Sequence, residues 1–172
     1  MRLDLIDYRI LDLLQQNARI TQIELAAAVG LSQPSVAERM HKLEEEGFIT
    51  SYAARVDAHL LGKDITAFIG VTIEHPRYFD NFTKKILGLS DVLECHRVAG
   101  EYSYLLKVRT ENTLSLDKFI SEMLRTIAGV ARSNTTIVLS TAKETSFIEA
   151  PIKEKRSKVG RSGKNASNKE AA

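Results

Sequence analysis

Residues 21–49, TQIELAAAVGLSQPSVAERMHKLEEEGFI, decide the reading of this chain, because they spell out two short helices joined by a tight glycine turn. Thr21 followed by Glu24 is a capping box: the threonine oxygen accepts a free first-turn amide, and the glutamate reaches back to the cap amide. Ile23, Leu25 and Ala26 to Ala28 give this helix a small apolar body. Gly30, which adopts the left-handed conformation at no steric cost, ends it. Leu31 then plugs the core and Ser32 caps a second helix, with Pro34 in its first turn, where a missing amide hydrogen costs nothing. So short a break is what a DNA-reading helix-turn-helix needs.

On the second helix Val36, Met40 and Leu43 recur at i, i+4 and i+7, one apolar stripe that must face inward. The outward side carries Gln33, Ser35, Glu38, Arg39 and Lys42, with His41 at its edge. When the N-terminal end of such a helix enters the major groove, its first residues meet base edges and later cations meet phosphates. The expected DNA-facing set is therefore Ser32, Gln33, Pro34, Ser35, Glu38, Arg39 and Lys42, with Arg39 and Lys42 on phosphates. Upstream, Asp4 and Asp7 cap a helix whose Ile6, Ile10, Leu13 and Leu14 supply a third apolar face. Downstream, Gly47 stops the reading helix and Phe48-Ile49 begins an extended run that resembles the entry into a wing.

A chain of 172 residues with 44% hydrophobic composition predicts a globular protein with a real core. No apolar run approaches the roughly 20 residues that span a bilayer, and Met1-Arg2-Leu3-Asp4 leads straight into a capped helix, so no membrane partner and cytoplasmic residence are expected. The single Cys95 fits a reducing compartment. The net charge of +2 is unevenly placed: residues 151–172 hold seven Lys or Arg against two Glu, which leaves −3 for residues 1–150. This tail is polar and basic, the composition of a disordered end. Residues 1–52 alone hold five Lys or Arg against eight Asp or Glu. Since phosphate contact is the main source of DNA affinity, so weakly charged a module needs two or more copies on one duplex, and dimers at least are expected.

Past a polar connector at Ser51–Lys63, Ile65, Ala67, Ile69, Val71 and Ile73 alternate with Thr66, Phe68, Gly70, Thr72 and Glu74, the period of a strand with one apolar face. Pro76 opens a helix bearing Phe79, Phe82, Thr83 and Ile86, which Gly88 closes. Val92–Ala99 and Tyr102–Arg109 read as strands of a hairpin turning at Gly100-Glu101. Leu116, Phe119, Ile120, Met123, Leu124 and Ile127 keep a 3.6-residue period, and Val130–Ser140 supplies a last strand. The order strand, helix, strand, strand, helix, strand is that of a ferredoxin-like domain. Both helices would cover one side of the sheet. Phe68, Tyr102 and Tyr104 suggest that the other side is covered by a second subunit.

Catalytic signatures are missing: there is no Ser-His-Asp or Cys-His arrangement, no phosphate-binding glycine loop and no metal-ligand spacing. No enzyme, catalytic residue, metal site or cofactor is expected. His41, His59, His75 and His96 are scattered, and the adjacent Cys95 and His96 point to opposite sides of a strand. Gly100, Tyr102 and Ser103 at the hairpin turn, with Ser133 and Thr135 on the last strand, suit the carboxylate and amine of an amino-acid effector. An ordinary tight turn and a Thr-rich strand account for the same residue types, and on those types alone that is the simpler reading.

Taken together, LDLIDYRILDLLQQNARIT, ELAAAVGLSQPSVAERMHKLEEEGFI, VDAHLLG, VAGEYSYLLKV and TTIVLST resemble the Lrp/AsnC family of leucine-responsive and asparagine regulators, over Leu3 to about Thr145. The resemblance implies an α+β chain: an N-terminal winged helix-turn-helix over 1–52, a linker strand or hinge over 53–64, and a C-terminal ferredoxin-like βαββαβ (RAM-type) domain over 65–145 for effector binding and oligomerisation; the basic tail at 146–172 lies outside it. It implies a sequence-specific regulator that binds double-stranded DNA as a homodimer, tetramer or octamer and responds to an amino acid or related metabolite. The family's reading helix maps onto Ser32–Glu46, with Arg39 at its recurrent arginine. Its effector loop, Gly-x-Tyr-Asp, maps onto Gly100, Glu101, Tyr102 and Ser103, where a serine replaces the acid, and its Thr-x-Thr maps onto Ser133-Asn134-Thr135. Losing that carboxylate removes a strong partner for an ammonium group. Haem-precursor decarboxylases that resemble the same family would keep catalytic histidines and lack a reading helix, the reverse of this sequence. A sensor subunit that acts without touching DNA would not need the Gln33, Ser35, Arg39 and Lys42 face.

Overall fold

Two aspartates start the first helix. Asp4 accepts the amides of Ile6 and Asp7, and Asp7 accepts the Asp4 amide, all at 2.9 Å, so α1 (Leu5–Gln16) begins with three of its orphan donors satisfied. The computed structural model, which describes residues 2–151, divides into two units: one comprises residues 2–53 and 146–151, the other Ala54–Thr145. The expected disordered end beyond Pro151 lies outside the described residues.

In the first unit α2 (Gln22–Val29) opens with the Thr21–Glu24 capping box and closes on Gly30 at φ +70°, where the chain must turn left-handed. Pro34 lies in the first turn of α3 (Gln33–Glu45), which Ser32 caps. Ile10, Leu14, Leu25, Ala26, Val36 and Leu43 are buried together where the three helices meet, with Ile6, Leu13 and Met40 packed around them. After α3 the chain forms no strand between residues 46 and 64, so neither a wing ladder nor the expected linker strand is present in the single chain. Residues 51–57 are irregular, and a turn at Ala58–Gly62 is closed by the Leu61 and Gly62 amides on Ala58 and His59 carbonyls. A strand needs a ladder of neighbouring backbone groups, and the bond of the Asp64 amide to the Glu111 carbonyl at 3.4 Å is a single contact and not a ladder.

The second unit is a four-stranded antiparallel sheet in the order β2-β3-β1-β4, from β1 (Ile65–Ile73), β2 (Val92–Arg97), β3 (Tyr104–Thr110) and β4 (Val130–Ile137). This is the ferredoxin-like arrangement. Ala67, Ile69, Val71 and Ile73 of β1 and Leu106 and Val108 of β3 point into one core, closed by Phe82 and Ile86 of α4 (Phe79–Ile86) and by Leu116 of α5 (Thr113–Lys118). Pro76–Tyr78 form a 3-10 turn before α4.

Three details differ from the sequence expectation. Tyr104 faces the helices, 5% exposed, with its ring against Phe79 and Phe82, because the β2–β3 connection occupies residues 98–103 and not two residues. The last helix is not a continuous α-helix: Phe119–Leu124 is a π-helical turn, with the Arg125 amide bonded to the Ile120 carbonyl. The altered pitch buries Phe119, Leu124 and Ile127 and leaves Met123 44% exposed.

Away from the helices, Thr66, Phe68 and Gly70 lie in register with Arg109, Lys107 and Leu105 of β3. Phe68 is 37% exposed there. Lys107 pairs with Glu94 at 3.3 Å and with Glu144, and Arg55 and Arg109 each stand 3.9 Å from Glu144. Hydrogen bonding to Glu144 and Glu94 raises the Lys107 ammonium above its usual range.

Candidate nucleic-acid interface

The apolar stripe of α3 sets the rest of the helix outward. Val36 and Leu43 are fully buried, so Ser32, Gln33, Pro34, Glu38 and Lys42 are exposed, and Ser35 is half-buried. At the N-terminal end the Ser32 and Ser35 hydroxyls bond each other at 2.8 Å, and the Ser35 amide donates to Ser32 Oγ. Gln33 has no internal partner among the described residues, so its amide is available to an acceptor and a donor from outside. This end also presents the positive pole of the helix dipole.

Further along, the charged groups are engaged internally. Lys42 Nζ lies 2.6 Å from Glu38, a pair of i,i+4 spacing whose hydrogen bond holds the Glu38 carboxyl below its ordinary value. His41 and Glu45 are 3.2 Å apart. Arg39 Nη1 donates to Asp7 Oδ1 at 2.6 Å and to Asp4 Oδ2 at 2.9 Å. Those two bonds, the Asp7 one foremost, raise the guanidinium pKa further. Asp7 is 2% exposed, and its carboxylate thus serves both the cap of α1 and the arginine of α3. Beyond the helix, Tyr52 donates to Glu44 at 2.8 Å, and burial together with Glu44 pushes its phenol up to about 12.

In the second unit the residues expected to form an effector site fall into two groups. Tyr102 lies across Gly70, so closely that a Cβ there would stand 2.5 Å from its ring, and its hydroxyl accepts from Asn134 at 2.9 Å. Ser103 is tied into the sheet end: its amide donates to Val71 at 2.9 Å and its hydroxyl accepts the Ile73 amide at 3.1 Å. Gly100 is exposed, with open space around it. Ser133 and Thr135, however, pair in register with Val71 and Ile69, whose side chains face the helices, whereas Asn134 pairs with Gly70 on the opposite face. Alternation along β4 therefore puts Ser133 and Thr135 on the other side of the sheet from the Tyr102–Asn134 contact. Arg125 reaches Ser133 at 3.5 Å.

Sequence reasoning gave Asp7 only its capping role and passed over Gly70 and Asn134 as working parts. Gly70 alone carried a signal, since glycine in mid-strand marks a close approach. Cys95 packs against the core, which pushes its thiol up, while His96 faces out and meets Glu94 at 3.1 Å. Among the described residues no group of three or more His, Cys, Asp or Glu could hold a metal ion, and no helix is long and apolar enough to cross a membrane.

The same two units recur in known proteins. Residues 3–50 match a winged helix-turn-helix DNA-binding model, and residues 66–148 match the Lrp/AsnC ligand binding domain. The leucine-responsive regulatory protein of Escherichia coli K12 is 35% identical over 144 residues, covering 83% of this chain and 88% of that protein. Among solved structures, a transcriptional regulator from Neisseria meningitidis in complex with L-Met superposes with a TM-score of 0.81 at 30% identity, covering 84% of this chain and 95% of that one. AsnC of E. coli gives a TM-score of 0.81 at 28% identity over 86% and 99% of the two chains. With both units matched in order along a single chain, and relatives aligned over most of their length, this protein belongs to the Lrp/AsnC family of DNA-binding transcriptional regulators.

Proposed function

We propose that this regulator reads DNA with Ser32, Gln33 and Ser35 at the N-terminal end of α3, and that Lys42 approaches a phosphate on leaving or sharing Glu38. The observation that carries this reading is Gln33, exposed and without an internal partner at the open end of a helix whose underside is locked into the core. A glutamine amide there can meet adenine N6 and N7 bidentately, a contact worth about 1–3 kcal/mol of discrimination. Arg39 acts as a brace between α3 and the start of α1. Selection of bound sequences from a random pool tests this: Gln33→Ala should broaden the recovered motif at one position, and an unchanged motif would move the readout elsewhere.

Assembly through the open sheet face, with Phe68 at its centre, supports a homodimer or a higher multiple of it, which would present two reading helices to successive major grooves. A small metabolite of amino-acid type is the effector class suggested by the relative solved with L-Met. In this chain the Tyr102–Ser103 loop would receive it with hydroxyls and main-chain groups in place of a carboxylate, which favours the acid end of such a ligand over its ammonium end.

A second reading has one specific observation behind it. Both cations of α3, Arg39 and Lys42, are paired with acids of the same unit, as suits a subunit that regulates by joining other family members without gripping DNA itself. A gel-shift titration of the purified protein on genomic fragments at low salt separates the two.

A further inference from the structure

Beyond β4 the chain leaves the sheet and is pinned again at two places. Val138 still donates its amide to the Thr66 carbonyl at 2.9 Å, but Leu139 to Lys143 are exposed and make no hydrogen bond to any described residue. Leu139 is 97% exposed. Glu144 is the first pin: its carboxylate meets Lys107 Nζ, and its carbonyl accepts from Arg55 at 3.2 Å. The second pin lies in the DNA-binding unit, where the Ile148 amide donates to Gln15 Oε1 at 2.8 Å and Gln15 Nε2 donates to the Ile148 carbonyl at 3.0 Å. One side chain of α1 thus satisfies both backbone groups of one residue, as a neighbouring strand would. Phe147 and Ile148 also form part of the wall of a groove of about 720 Å³, with Tyr8 and Leu11 of α1 and Phe48.

The first pin stands on the open face of the sheet. Lys107 is the register partner of Phe68, and its side chain is 14% exposed between Glu144 and Glu94. A second copy laid against Phe68 therefore meets the Glu144 chain as well as the sheet. Pushing that chain aside breaks the Lys107–Glu144 pair and leaves a covered ammonium short of an acid. Trading it between copies loses neither pin, because each Lys107 and each Gln15 receives the same groups from the other chain. Leu139 to Lys143, with no bonds of their own to lose, are the hinge such a trade needs.

We infer that two copies of this chain exchange residues 144–151, so that Glu144 of each pairs with Lys107 of the second copy and Ile148 of each is clamped by the second copy's Gln15. The partner is another molecule of the same sequence. This inference rests on the sheet-face dimer proposed above and adds to it the residues that cross. Once the sheets are paired, the exchanged arm stands at high local concentration beside its new site, and its docking costs no further bimolecular step. Each DNA-binding unit is then held by the other copy's chain, and the two reading helices part slowly on dilution.

Cross-linking of the full chain in a Cys95→Ser background tests this. Chains carrying Gln15→Cys alone and Ile148→Cys alone are unfolded, mixed, refolded together and treated with a short bismaleimide, then run on a denaturing gel. A covalent dimer should form in the mixture and not in either variant refolded by itself, and a chain carrying both substitutions should also be joined as a dimer. A joined monomer of the double variant, or no joining at all, overturns the exchange. A second measurement leaves the clamp intact. Lys107→Glu and Glu144→Lys should each weaken the dimer about tenfold or more in sedimentation, since like charges then meet, and their refolded mixture should regain it. In an unexchanged chain each reversal stays uncompensated within its own copy, so a mixture no more dimeric than its components overturns the proposal. A natural chain that sediments only as a monomer would instead sink the sheet-face dimer beneath it.

Discussion

Arg39 on α3 donates to the buried carboxylate of Asp7 on α1 at 2.6 Å, across 32 residues of sequence. The contact engages a residue expected to meet phosphates and ties α3 to the start of α1. Asp7 is 2% exposed and already accepts the Asp4 amide, so its second oxygen needs a donor, and the arginine supplies it.

Arg39→Ala should therefore destabilise the N-terminal unit by about 2–4 kcal/mol, since it leaves a buried carboxylate without its cation. The salt slope of DNA binding should stay unchanged in the folded fraction. Lys42→Ala should do the opposite: little change in stability, because its partner is an exposed i,i+4 acid, and a slope flatter by about 0.9. Urea unfolding beside DNA titration of both variants distinguishes a brace from a phosphate contact.

Acid should loosen the same unit. Asp4, Glu24 and Glu38 are held below their ordinary values of 3.8, 4.5 and 4.5, by the Asp7 backbone amide, the Thr21 backbone amide and Lys42 respectively. A carboxyl depressed on folding contributes stability that is fully present above its unfolded value and lost as pH falls through the folded one. Melting temperature should be flat above about pH 5 and decline below about pH 4. A decline centred near pH 6 would point to a histidine instead.

Gly70→Ala should push the Tyr102 ring off β1, because the new Cβ would stand 2.5 Å from ring carbons near the rigid root of the side chain. The expected loss is about 1–3 kcal/mol, the usual cost of overpacking. Adding Tyr102→Ala should recover most of it, because the clash disappears. If the double variant is no more stable than Gly70→Ala alone, the ring is not what the glycine accommodates.

Ser103→Ala should cost about 1 kcal/mol by leaving the Ile73 amide without its acceptor. Ser103→Asp keeps an acceptor there and restores a carboxylate to the loop. Calorimetric titration with a panel of amino acids should show tighter binding to Ser103→Asp than to the natural chain. Equal binding would mean that the serine does not set the effector preference.

The helix-turn-helix was legible residue by residue because its signals are local. Thr21 with Glu24, Gly30, and Ser32 with Pro34 each act over three or four residues, and chain geometry alone says what they do. The alternation of Ile65 to Ile73 was equally plain, since a strand with one dry face writes its period into the sequence. From these, and from the order of elements, both domains follow. Partners distant in sequence were another matter. That Arg39 would face Asp7, that Tyr102 would cross Gly70, that Ser133 and Thr135 would lie across the sheet from Asn134, and that Gln15 would hold Ile148, 133 residues away, depends on register and packing. Local patterns leave those free, because any exposed arginine or glutamine has the same propensity whichever group it finally meets. The π-helical turn at Phe119–Leu124 belongs with them: its residues read as an ordinary helix, and only the packed core reveals the extra residue per turn.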